Sequence, residues 1–121
     1  MAHNQRLGTI GENIAVAYLR EKGYRILERN WRYLHKEIDI IAEQGGELVI
    51  VEVKTREGEM NLLPGDLVTH AKQRYLINAT DAYIRWHGME RETRFDVIIV
   101  NFPGNGEHEV EHIERAFYPA L

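Results

Sequence analysis

Apolar positions recur along this chain in two periods, and the switches between them mark out seven segments. In residues 9–22, Ala15, Val16 and Leu19 lie three, four and seven positions beyond Glu12, the spacing of one helix face. Thr9-x-x-Glu12 has the form of a capping box, in which a hydroxyl and a carboxylate satisfy N–H groups at a helix start. Gly23 supplies the residue type that ends a helix. Residues 24–31 (YRILERNW) read as a strand with its arginines outward. Residues 37–54, EIDIIAEQGGELVIVEVK, hold two Ile/Val-rich runs around Gly45-Gly46. That is a hairpin signal, because a two-residue loop needs positive φ. From Thr55 to Leu67 the pattern lapses around Gly58, Pro64 and Gly65, an irregular loop of about a dozen residues placed to cover whatever follows Lys54.

With Asp66 as N-cap, a helix is predicted to about His87. Its buried stripe is Val68, Ala71, Tyr75, Ala79, Ala82 and Trp86, and Gly88 closes it. Residues 94–101 (RFDVIIVN) read as a strand covered on both faces. Residues 110–117 fit strand or helix, and a strand is expected. The order α-β-β-β-α-β-β predicts an α/β fold, a mixed central sheet flanked by helices, in one domain spanning 1–121.

The hairpin carries the chemistry. With Gly45-Gly46 as its loop, facing residues have numbers that sum to 91. Asp39 then stands opposite Glu52, and Glu37 opposite Lys54. Glu52 and Lys54 share a face with Leu48 and Ile50, since side chains alternate along a strand. Like charges on facing strand positions destabilise a sheet, so two carboxylates there need a reason. A divalent cation supplies one, and hard oxygen ligands suit Mg²⁺. Lys54 can then hold or polarise a water. The plainer alternative makes Glu37–Lys54 an ordinary ion pair and Asp39 a solvated edge residue. A one-residue register slip would undo the geometry.

At 121 residues the chain is long enough to bury a core. No apolar run approaches a membrane span and MAHNQRLG has no signal-peptide core. The absence of cysteine fits a reducing cytoplasm, so a cytoplasmic protein without membrane partners is expected. A net charge of −4 argues mildly against nucleic acid only as an average. Residues 20–36 hold six basic against two acidic side chains, a balance of +4, whereas residues 105–115 balance at −3. Such segregation is a partner signal, or simply a solvated basic face. Within the basic stretch, Asn30, Trp31 and Tyr33 can stack on nucleotides or pack at the rim. His108-Glu109-Val110-Glu111-His112 matches the zinc-protease pattern H-E-x-x-H. That motif needs a helix, and here it follows Pro103-Gly104 near the end of the chain, so a charged surface segment is expected instead. There is no glycine-rich phosphate loop and no Ser or Cys in a nucleophile setting.

Taken together, Gly11-Glu12 with Ala15 and Leu19, Gly23-Tyr24, Asn30, Glu37-Ile38-Asp39, Val51-Glu52-Val53-Lys54, Lys72 and Arg94-Phe95-Asp96-Val97 resemble the YraN-like family of small bacterial proteins over nearly the whole length. Lys36 departs from the family's usual glycine before Glu-Ile-Asp and adds positive charge there. That family in turn is similar to nucleases of the restriction-endonuclease-like fold, archaeal Holliday junction resolvases in particular, with their PD-(D/E)xK signature. The resemblance implies Mg²⁺ (or Mn²⁺) held by Asp39, Glu52, the Val53 carbonyl and Glu12, with Lys54 positioning or activating the attacking water. Glu12, a cap on spacing alone, becomes an acid of the site. The implied reaction is hydrolysis of a DNA phosphodiester, on branched or single-stranded DNA. Backbone contacts are expected from Arg29, Arg32, Lys36, Lys72 and Arg74. A homodimer would suit symmetric cutting of a junction. The same fold can also serve as a nucleic-acid-binding module that does not cut.

Overall fold

The computed structural model describes residues 2–58 and 68–119. The elements follow the expected order: α1 (Ala2–Glu21), β1 (Arg25–Tyr33), β2 (Lys36–Gln44), β3 (Glu47–Glu57), α2 (His70–His87), β4 (Thr93–Phe102) and β5 (Glu109–Phe117). They build one five-stranded sheet in the order β1-β2-β3-β4-β5. Every neighbouring pair is antiparallel except β3–β4. A parallel pair needs a crossover, and α2 lies within it. This is the mixed α/β sheet that the restriction-endonuclease resemblance implies, and the ambiguous terminal segment is a strand. None of the described helices is long and apolar enough to cross a membrane.

Alternation along β3 sorts the core into two layers. Val49 and Val51, with Ile40, Ala42, Ile98 and Val100, meet Ala15, Val16 and Leu19 of α1. Leu48 and Ile50, with Ile38, Ile41, Phe95 and Val97, meet Leu76, Ala79 and Tyr83 of α2. α1 sits close to β3, because a Cβ at Gly11 would overlap Thr55 Oγ1 and lie 3.3 Å from both its Cβ and Cγ2. A β-branched neighbour cannot swing clear of that contact, so a side chain here would push the helix off the sheet. The absence of one seats Glu12, the next residue, beside the strands.

Four expectations need correction. α1 begins at Ala2, so Thr9 lies inside the helix and the capping-box reading fails. Gly8 and Thr9 are poor helix formers that imitate a start, but packing of the apolar face overrides propensity. For α2, the N-cap is Thr69, whose hydroxyl accepts from Lys72 N at 3.1 Å. The proposed cap Asp66 lies outside the described residues, as do Pro64 and Gly65. The pattern lapse also starts later than predicted, since β3 continues to Glu57. Finally, the buried face of α2 is Leu76, Ala79, Thr80 and Tyr83, while Ala71 and Trp86 are exposed. Thr80 disguised that stripe as polar. Its hydroxyl donates to the Leu76 carbonyl at 2.6 Å, which lets it be buried.

The H-E-x-x-H segment runs from His108, just before β5, into that strand and forms no helix. Residues four apart in a strand are separated by roughly 13 Å, too far to share one metal. The structure differs from a plain charged surface segment in one respect: the side chain of His112 is only 7% exposed. Its Nε2 lies 2.7 Å from Asp96 Oδ2 and its Nδ1 3.2 Å from the Tyr18 hydroxyl. Arg94 donates to both oxygens of Asp96, at 2.9 and 3.2 Å from Nε and 2.9 Å from Nη2. Arg115 N donates to Oδ1 at 3.1 Å, and Tyr24 hydroxyl meets Arg94 Nη2 at 2.5 Å. This network joins β4, β5 and α1 on the α1 side of the sheet.

Candidate functional site

Five pairs, from Ile40–Val51 to Gln44–Glu47, hold the register predicted from Gly45-Gly46. The ladder then stops, one position short of Asp39 and Glu52. Continuing it would pair Ile38 with Val53. Instead Val53 N donates to Asp39 Oδ2 at 2.8 Å, so a carboxylate takes the place of the next rung. β2 also changes phase here. Ile40 faces the α1 layer but Ile38 the α2 layer, although residues two apart in a regular strand share a face. β1 is disturbed at the same level: Asn30, between the Arg29–Ile40 and Trp31–Ile38 pairs, has φ 50°. Asparagine tolerates that left-handed conformation better than most residues. Its side-chain amide donates to Glu12 Oε2 at 3.1 Å. The sheet is thus irregular where Glu12 of α1, Asp39 of β2 and Glu52 of β3 act on one another.

Glu52 is the buried member, 4% exposed. Its Oε2 lies 3.3 Å from Lys54 Nζ and 3.6 Å from Lys72 Nζ, whereas Oε1 is buried with no hydrogen-bond partner. Lys54 shares the α2-side face with Glu52, as the alternation predicts. Asp39 is pushed up to about 8, first by burial, then by the charge of Glu52 and a hydrogen bond with it. The Val53 N–H pulls the other way, and Glu12 adds a further upward push. A buried carboxylate oxygen without a donor is costly. Two things can satisfy it: a proton held on Asp39, or a cation between the two carboxyl groups. The donor set of two carboxylates and a strand carbonyl fits a hard cation that keeps some of its water. Among the described residues no three His, Cys, Asp or Glu side chains converge closely enough to hold a metal without such help.

The proton on Asp39 has a measurable consequence in metal-free protein. Its folded value of about 8 lies above the 3.8 of the free group. The folded state therefore keeps a proton that the unfolded chain releases above about pH 4. The resulting stabilisation is complete below that pH and is lost as pH rises through 8. Thermal melts in EDTA at pH 5.5 and 8.5 should show the wild type losing at least about 1 kcal/mol relative to Asp39→Asn. Parallel pH profiles for the two proteins would show that Asp39 is an ordinary ionised carboxylate.

The other expected site residues are dispersed. Glu37 pairs with Arg32 at 3.2 Å, not with Lys54, because the ladder has ended before that level. Arg29 donates to Asn13 Oδ1 at 2.7 Å and lies 3.8 Å from Glu12. Lys36 and Lys72 lie over the Tyr75 ring, at 5.7 and 5.6 Å from its centroid. Arg74 is exposed on α2. Lys72 therefore belongs to the acid pair as much as to any nucleic-acid contact, a placement its off-stripe position did not reveal. Asn30, named above only within the family pattern and beside the stacking aromatics, has a role at Glu12 that the sequence reading missed, and its αL tolerance was the physical signal for it. Beside Lys54 a cleft of about 380 Å³ opens between Leu7 and Gly8 of α1 and residues 53–57 of β3.

Known proteins are similar to this chain over its full length. A UPF0102 protein of Bacteroides thetaiotaomicron is 46% identical over 121 residues, covering 100% of this chain and 99% of the relative. One from Chlorobium chlorochromatii is 47% identical, covering 93% and 91% of the two chains. Another, from Flavobacterium psychrophilum, is 44% identical over 98% of both. Residues 11–100 match the family described as "Uncharacterised protein family UPF0102", a span that holds Glu12, Asp39, Glu52 and Lys54, and the chain belongs to that YraN-like family.

Proposed function

We propose that this protein is a Mg²⁺- or Mn²⁺-dependent, structure-selective DNA endonuclease. The observation that supports it is the contact between Asp39 and Glu52, with two ammonium groups on one Glu52 oxygen and no partner for the other. Asp39 and Glu52 would hold the cation, with the Val53 carbonyl beside them. Bound there, the cation supplies Lewis-acid stabilisation of charge growing on the scissile phosphate. Lys54 would orient the attacking water and take up part of the charge as the water loses its proton to the leaving oxygen. Glu12, tied to Asn30 and Arg29, contributes negative potential and fixes the α1 wall of the site. Attack on phosphorus forms a new P–O bond and breaks one P–O ester bond, leaving a phosphate monoester and a free hydroxyl. Arg32, Lys36 and Arg74 would meet the DNA backbone without reading sequence.

The test is calorimetric titration of Mn²⁺ into wild type and Asp39→Ala, with and without a branched DNA. Wild type should bind Mn²⁺, and the variant should bind at least tenfold more weakly, the scale on which losing a ligand or its support shows. Equal binding by both would remove the metal site from Asp39, and the nuclease reading with it.

A second reading, a nucleic-acid-binding module that does not cut, is favoured by one observation. The described acids fall short of a three-ligand cluster, and Glu12 is already engaged. Binding that falls steeply with salt, together with intact DNA under every divalent metal tried, would select it.

A further inference from the structure

A row of aromatic rings leads away from the acid pair along α2. Trp31 and Tyr33 stand two residues apart on β1, with rings 6° from parallel and centroids 6.1 Å apart. Tyr75 of α2 tilts against Tyr33 at 6.3 Å and donates its hydroxyl to the Tyr33 carbonyl at 2.9 Å. At the far end Trp86 meets Trp31 edge-on, at 74° and 6.4 Å. Trp86 is 78% exposed and Leu34, on the adjoining turn, 73%. A cleft of about 330 Å³ opens between Tyr33, Tyr75, Asn78 and Arg85. An indole this exposed adds little to the core, and large apolar groups gathered at one edge mark a contact surface.

The row is continuous with the chemistry. Tyr75 carries Lys72 over its ring, and Lys72 also reaches Glu52. Lys36 sits over the same ring. The other rim cations are Arg32 and Arg85, paired to Glu37 and Asp81. Their side chains are 68% and 78% exposed, and ion pairs so open to water are weak. A phosphate can therefore compete for both arginines.

We propose that this row is a stacking platform for unpaired bases of a single-stranded DNA segment that leads into the acid pair. The proposal rests on the nuclease reading above and names the form of its substrate. Stacking needs the flat face of a base, which a duplex hides between its neighbours. The basic rim suits a phosphate backbone rather than an apolar peptide. From Lys72 to Trp86, fourteen residues of α2, the helix advances roughly 21 Å. That span holds about six nucleotides at duplex rise and fewer in an extended strand.

The test uses the full chain in EDTA, so that nothing is cut. Tryptophan fluorescence and anisotropy follow titration with labelled single-stranded DNA of about twelve nucleotides, and with a duplex of the same length. Wild type should bind the single strand with indole quenching. Trp86→Ala, at an exposed position, should weaken single-strand binding about fivefold or more and leave duplex binding within twofold. Equal loss on both DNAs, or no loss on either, overturns the platform and leaves the nuclease reading standing. No binding of any DNA by wild type overturns both. A dimer that Trp86→Ala converts to monomer assigns the patch to a second copy and also overturns the platform.

Discussion

Lys54→Met should reduce cleavage of a branched DNA by about 10²–10⁴-fold, the range over which a positioned proton-transfer group contributes. Binding of the same DNA, measured in EDTA, should stay within threefold of wild type. The prediction follows from the position of Lys54 at the open edge of the acid pair, with its ammonium 3.3 Å from Glu52. Removing it leaves Lys72 at 3.6 Å on the same oxygen, so Glu52 keeps one counter-charge and the fold is spared. Methionine preserves most of the aliphatic stem, so packing against α2 changes little. Both proteins should be purified in parallel, because a contaminating host nuclease would cut equally in each. Identical rates in the two preparations, with Asp39→Ala purified alongside and inactive, would remove Lys54 from the chemistry.

Asp96→Ala should destabilise the protein by about 3–5 kcal/mol, the cost of breaking a buried ion pair by deleting one partner. The Asp96 side chain is 0% exposed, and three groups depend on it: the Arg94 guanidinium, the Arg115 N–H and His112. Deletion leaves the buried Arg94 guanidinium with Glu114 at 3.3 Å and Glu47 at 3.7 Å, both on Nη1, as its remaining counter-charges, and leaves its Nε and Nη2 side without the carboxylate. Urea unfolding would measure the loss, and a change under 1 kcal/mol would show that water reaches the network. Burial acts to raise the Asp96 carboxyl, but hydrogen bonds from His112, Arg94 and the Arg115 backbone outweigh it and hold the group below 3.8. Its stabilisation is thus present above about pH 4 and is lost as pH falls through the lowered value. That is opposite in sign to Asp39. Metal-free protein should lose stability toward acid through Asp96 and toward alkali through Asp39, with an optimum between.

Much of this was legible in the chain, for identifiable reasons. Gly45-Gly46 fixes the hairpin because only a positive-φ pair closes so short a loop, and both glycines adopt it, at φ 58° and 85°. From that pivot the register, the shared face of Glu52 and Lys54, and the nearness of Asp39 all follow by counting. Counting fails beyond Asp39, where Ile38 faces the α2 layer instead of the α1 layer. Period-two alternation says which residues share a face but not where a strand loses its phase, which here coincides with the left-handed Asn30 on the neighbouring strand. The expected cross-strand pair of Glu37 with Lys54 failed for the same reason. On α2, two stripes one residue apart are both apolar enough to be buried. Only the sheet it packs on chooses Leu76, Thr80 and Tyr83 over Ala71, Ala82 and Trp86. The Asp96 network escaped notice because its members, Tyr18, Tyr24, Arg94 and His112, lie far apart in sequence and none has a diagnostic spacing.

The interruption at Asn30 and Asp39 places this protein's two needs in opposition. A regular ladder through that level would seal the sheet with another backbone rung, and Val53 would have no use for a carboxylate. It would leave Asp39 opposite Glu52 but release its carboxylate from the Val53 N–H that now holds it. Variants selected only for heat resistance would drift toward mending the flaw and would loosen the hold on the Asp39 carboxylate as they did so.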